Sequence, residues 1–152
     1  MKMKYTTRNE FCNFEFSEVH IDDVKIQNGV FQMILDDVKI LPENSTNRDI
    51  RKMRANGLVL TIEDAQINSF VEEGYKTYDA DGNLLREDPD IELDEQQYRD
   101  IYEFFIDSYA YLIAQNEDEY TFVIDGTNER TYTIIVQGSG DVEEWDKFLQ
   151  IE

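Results

Sequence analysis

Asn28-Gly29 stands between Val24-Lys25-Ile26-Gln27 and Val30-Phe31-Gln32-Met33-Ile34-Leu35, and no other pair of residues restricts this chain so much. Asn and Gly tolerate the positive φ angles of a two-residue type I′ turn, so the stretch predicts a β-hairpin. A hairpin commits its surroundings to antiparallel sheet, and the neighbouring segments read the same way. Cys12, Phe14 and Phe16 share one parity, whereas Val19 and Ile21 take the other, so a bend or bulge is expected after Ser17. Val38 and Ile40 continue the alternation until Pro42 stops it. Leu58-Val59-Leu60-Thr61-Ile62, residues 65–71, and a hairpin over 75–85 turning at Asp81-Gly82 follow. Two more strands, 120–124 and 130–136, flank Asp125-Gly126-Thr127-Asn128.

Two stretches read differently. Asp94 with Gln97 makes a capping-box pattern, and Tyr98, Ile101, Tyr102, Phe105, Tyr109, Leu112 and Ile113 recur at helical spacing, which predicts a long helix over 94–115. Phe104, Ile106 and Tyr111 widen its apolar surface beyond one stripe. Such a helix would be covered on two sides, by the sheet and by a second copy of the chain in a homodimer. Asp141 with Glu144, followed by Trp145, Phe148 and Leu149, predicts a short C-terminal helix. Residues 49–54 could form one turn of helix stopped by Asn56-Gly57. The expected fold class is therefore α+β: mainly antiparallel β-sheet, sandwich-like or a curved meander, packed on one long helix with a short C-terminal helix. Its 152 residues suit a single domain, 1–152.

Charge narrows the partners. With 34 acidic residues against 14 Lys and Arg, the net charge is −20, which repels phosphate backbones and anionic lipid surfaces. Nucleic acid and membrane are thus disfavoured, and a basic protein is the partner the charge suits. Nine Phe and nine Tyr supply enough apolar area for a real core despite that charge. One cysteine, Cys12, suits a reducing compartment, and the charged first residues lead into no apolar run of the secretory type. A cytoplasmic location is expected.

Few residues carry chemistry. Glu18-Val19-His20-Ile21, Asp37-Val38-Lys39-Ile40 and Asp64-Ala65-Gln66-Ile67 share an order of acid, small apolar, polar and Ile. Carboxylates gathered from such strands, joined by Asp22, Asp23, Asp36 and Glu63, could hold calcium, although alternating strands in an acidic chain produce this pattern cheaply. Asp79-Ala80-Asp81-Gly82-Asn83 lacks the glycine and glutamate spacing of a calcium loop and reads as a turn. His20, the only histidine, shares a strand face with Glu18 and Asp22. With one histidine and one cysteine, a zinc site of thiolates and imidazoles cannot be assembled within one chain. No cofactor is expected.

Arg48, Arg51, Lys52 and Arg54 crowd four bases into one short segment, making it the candidate interaction loop. These bases would either meet an acidic or phosphate-bearing partner or neutralise the domain's own carboxylates. No catalytic residue is nominated. The expected function is a non-catalytic protein-binding module, and small acidic immunity-type inhibitors of basic toxins look like this chain in composition. The alternatives are a carboxylate-pair hydrolase and a calcium-stabilised accessory domain. A flat acidic patch with exposed aromatics would favour docking, whereas a deep pocket holding two close carboxylates would favour the enzyme.

Overall fold

The computed structural model describes residues 3–27 and 29–151. Ten strands form one antiparallel sheet: β1 (Tyr5–Arg8), β3 (Val19–Gln27), β4 (Val30–Asp36), β7 (Leu58–Glu63), β8 (Gln66–Glu72), β11 (Ile91–Glu92), β12 (Ser108–Asn116), β13 (Glu119–Asp125), β14 (Thr131–Gln137) and β15 (Gly140–Trp145). Their order is β1-β15-β7-β4-β3-β12-β13-β14-β8-β11. β2 (Phe14–Glu15), β5 (Val38–Ile40) and β6 (Met53–Ala55) make a small second sheet, and β9 (Tyr75–Tyr78) pairs with β10 (Leu84–Asp88) in an exposed hairpin. Gln27 pairs with Val30 across the expected tight turn, where Gly29 takes φ +77°. Asn28 lies outside the described residues.

The large sheet is folded onto itself. β13 and β15 are five strand steps apart, which would be roughly 24 Å on a flat sheet. Yet the Tyr120 hydroxyl on β13 donates to Asp141 Oδ2 on β15 at 2.7 Å. Phe31 and Phe122, three steps apart, bring their ring centroids to 4.8 Å. Two layers therefore face each other, joined along the short β3–β12 seam, where only Val19, His20 and Ile21 pair with Ala110, Tyr109 and Ser108. Between the layers lie Val19, Ile21, Phe31, Met33, Leu35, Leu58, Leu60 and Ile62 from one side. Ala110, Ile113, Phe122, Ile124, Ile134 and Val136 answer from the other.

The two layers resemble each other internally. β3-β4-β7 and β12-β13-β14 are both three-strand meanders. Each begins after an acid in the left-handed region, Glu18 (φ 53°) or Asp107 (φ 65°). Both first strands carry an irregularity at the same place, between Ile21 and Asp23 or between Ala110 and Leu112. Each meander then sends its fourth strand into the other layer: β8 pairs with β14, and β15 with β7. All three acids that open the recurring sequence pattern, Glu18, Asp37 and Asp64, have positive φ. The pattern therefore marks chain reversals before strands.

The α+β class, with a sheet packed on a long helix over 94–115, is corrected: the fold is mostly antiparallel β-sheet with one short α-helix and a 3-10 turn. Only α1 (Glu95–Tyr102) is helical, opened by the expected box in which the Asp94 N–H donates to Gln97 Oε1 at 2.8 Å. The chain then turns, Asp107 reverses it, and β12 begins. The bulge explains the false periodicity. Ala110 and Ile113 both point inward because one extra residue is inserted between them, so a two-residue alternation becomes the three-residue spacing of a helix. The C-terminal helix is also corrected: β15 is a strand whose inward positions are Asp141, Glu143 and Trp145. Two acids on its buried face hid the alternation. Residues 49–54 are not helical either, since Asp49 accepts the Arg51 N–H in a local turn and β6 follows. Cys12 belongs to a 3-10 turn (Phe11–Asn13) and is exposed, while Phe14 and Phe16 are buried as expected.

α1 lies over β8, where Phe70 stacks on Tyr98 at 4.7 Å and on Phe105 at 6.0 Å. No described helix is long and apolar enough to cross a membrane. The two connections between layers touch: the Ser139 N–H donates to the Glu63 carbonyl at 2.9 Å and its hydroxyl to Asp64 Oδ2 at 2.6 Å. A Cβ on Gly138 would overlap the Ile62 side chain and the Glu63 carbonyl. Gly138→Ala is accordingly expected to cost about 1–3 kcal/mol, read as a lower midpoint in thermal denaturation.

Candidate docking face

The outer side of the β3–β12 seam is unlike the rest of the surface. On β12 the bulge turns Tyr111 and Leu112 to the same side as Tyr109, and the two tyrosines are 58% and 56% exposed. Ile106, in the turn before the strand, is exposed beside them. β3 contributes His20 and, beyond its own irregularity, the exposed Asp22 and Asp23. Glu18, Asp107 and Asp125 are exposed around them. The result is an aromatic strip on a sheet face, bordered by carboxylates.

His20 is held within this face. Its Nε2 lies 2.7 Å from Asp107 Oδ1, its Nδ1 lies 3.1 Å from Asp36 Oδ2, and its ring meets Tyr109 edge-on at 5.3 Å. These carboxylates come from neighbouring elements rather than from Glu18 and Asp22, its neighbours in sequence. The hydrogen bond to Asp107, with that to Asp36 and the charges of both, raises the imidazole's pKa against the lowering effect of burial. With both nitrogens engaged, the protonated ring donates twice and orients Tyr109.

The four bases of the candidate loop do not converge. Arg51 pairs with Asp49 at 3.1 Å, Lys52 with Glu15 at 3.3 Å, and Arg54 with Asp37 at 3.8 Å. Arg48 is exposed, and among the described residues no carboxylate pairs with it. The loop is held by Asn47, whose buried amide donates to the carbonyls of Ile40, Leu41 and Arg51. At its tip Ile50 is 93% exposed beside a shallow hollow of about 610 Å³ floored by Tyr5, Met53 and Phe148. A second groove, of about 530 Å³, runs between α1 and the ends of β3, β4 and β8, with Ile26, Phe31, Ile67, Tyr98 and Tyr102 along it.

Carboxylates are grouped in the core instead. Asp141 and Glu143, 1% and 0% exposed, are neighbours on the inward face of β15, and neither lines either hollow. Glu18, Asp37 and Asp64 occupy three separate turns, and among the described residues no group of three or more His, Cys, Asp or Glu side chains is arranged to hold a metal ion. Asp79 accepts the N–H groups of Asp81 and Asn83, which fixes the hairpin turn at Gly82.

Sequence reasoning missed Tyr109 and Leu112 as surface residues because it laid them along a helix. The surplus of apolar residues at Ile106 and Tyr111 was the signal for an exposed face. Comparison with protein-family models, with curated proteins and with solved structures found no match.

Because the folded state holds the His20 proton more tightly than the unfolded chain, its stabilisation is complete below about pH 6.5 and is lost as pH rises through the folded value. Thermal midpoints measured across that range are expected to fall more steeply for the wild type than for His20→Gln.

Proposed function

We propose that this protein is a non-catalytic, cytoplasmic docking module that binds a basic protein through the outer face of β3 and β12. The observation that carries the reading is the exposure of Tyr109 and Tyr111 on a strand face bordered by Glu18, Asp22, Asp23, Asp107 and Asp125. Tyrosine offers a large contact area for little conformational entropy and dominates the centres of protein interfaces, while a rim of one charge selects the partner of the other. A net charge of −20 extends that selection over the whole surface and speeds encounter with a cation. An inhibitor of a basic toxin would be one such module. The cytoplasmic location is supported by the single, exposed thiol of Cys12.

The test compares wild type with the Tyr109→Ser/Tyr111→Ser double variant as baits in the same cell lysate at low and high salt. The reading expects a basic protein that the wild type retains, that salt weakens, and that the variant binds at least about 30-fold less tightly. The variant's thermal midpoint should stay near that of the wild type. Capture of the same protein equally by both baits, or of an acidic protein alone, would set the reading aside.

A further inference from the structure

We propose that Asp141 and Glu143 share a single buried proton, and that this proton is the latch holding the β1–β15 edge against the opposite layer. Each carboxyl group has one satisfied oxygen. Tyr120 donates its hydroxyl to Asp141 Oδ2 at 2.7 Å, and Thr7 donates its hydroxyl to Glu143 Oε1 at 2.7 Å. The other two oxygens, Asp141 Oδ1 and Glu143 Oε2, are buried and without a partner among the described residues. As ionised groups they would be two adjacent anions out of water, each with an idle acceptor, an arrangement that proteins avoid. One proton removes both defects. Placed on Glu143 Oε2, it is donated to Asp141 Oδ1, and two idle acceptors become one short, charge-assisted hydrogen bond.

The surroundings leave no other remedy. β7 opposes the pair with Leu60 and Ile62 only. β1 supplies Thr7, and the turn after it supplies the carboxylate of Glu10, whose charge works against ionising Glu143. From β13 comes Tyr120, with Asp118 near it, and from β12 comes the Gln115 amide, 3.3 Å from the Tyr120 hydroxyl. Among the described residues no Lys, Arg or His pairs with either carboxyl. Burial foremost, then the hydrogen bond and charge of Asp141, push the Glu143 carboxyl far above the ordinary carboxylate range. Burial also pushes the Tyr120 hydroxyl up, so it stays a donor at any working pH.

The latch has a mechanical role because of where it sits. β1 pairs only with β15, and Thr7 fixes it to the proton-bearing group. Through Tyr120 the same pair grips the opposite layer. The unfolded chain gives up the Glu143 proton in the ordinary carboxylate range while the folded chain keeps it. Stability therefore declines continuously as pH rises above that range.

The experiment uses the full chain in a His20→Gln background, which removes the imidazole whose raised pKa has the same sign; the tyrosines with raised pKa titrate above the interval used. Thermal midpoints are compared between that parent and the added Glu143→Gln change from about pH 6 to pH 9. The parent is expected to lose up to about 10 °C over that interval and the Glu143→Gln chain to stay level, since the amide donates the same hydrogen bond without titrating. Equal slopes in the two chains would overturn the proposal. If Glu143→Gln does not fold, infrared spectra of the wild type decide: a protonated-carboxyl C=O band persisting at neutral pH supports the shared proton, and its absence overturns it. Amide exchange locates the effect. Earlier alkaline loss of protection in β1 and β15 than in β4 supports the latch, and uniform loss overturns it.

Discussion

The structure depends on the contact between its two layer-crossing connections. A ten-stranded antiparallel sheet could remain open and twisted, with its apolar face in water. Here it cannot, because Asp64-Ala65 and Gly138-Ser139 carry one strand of each meander into the opposite layer and are hydrogen-bonded to each other where they cross. The crossing brings β13 opposite β15 and lets Phe31 meet Phe122. It also requires a residue without a side chain at position 138. The aromatic core follows from this closure.

The hairpins were legible in the sequence, because a two-residue turn and its flanking alternation are local properties. Gln27–Val30, the turn at Gly82 and, within a residue or so, the two strands flanking Gly126-Thr127-Asn128 all stand where their residues place them. The helix was half legible: Asp94 and Gln97 start it as their chemistry demands. Its end was not. Asp107 reverses the chain in the left-handed region, which a glycine would have advertised more strongly than aspartate, common elsewhere in this acidic chain, can do. Beyond it, a bulge imitates helical spacing. Strand β15 was concealed for another reason, since a strand with acids at two of its inward positions contradicts the rule that identifies strands.

The candidate site divides along the same line. Arg48, Arg51, Lys52 and Arg54 were conspicuous in the sequence, yet their partners Asp49, Glu15 and Asp37 depend on loop geometry and on β2 lying beside β5. The strand position of His20 and its tendency to protonate were legible, whereas the carboxylates that flank it were not, for a related reason. Its carboxylates are cross-strand neighbours, and strand order is a long-range property that spacing along the chain does not encode. Tyr109 was laid in the apolar stripe of a helix and Tyr111 read as surplus beside it, so neither was expected to stand exposed on a sheet face.

The exchange of fourth strands has a consequence for how this protein comes into being. On the ribosome the chain emerges from its amino end, and β3, β4 and β7 can pair as soon as residue 63 is free. The outer neighbour of β7 begins only at Gly140, so during the synthesis of about half the chain that strand presents an open hydrogen-bonding edge. Until then the nascent meander carries an uncovered strand edge. Charge does little to shield that edge, because residues 18–64 carry nine acids against six Lys and Arg, and most of the chain's acids are made later.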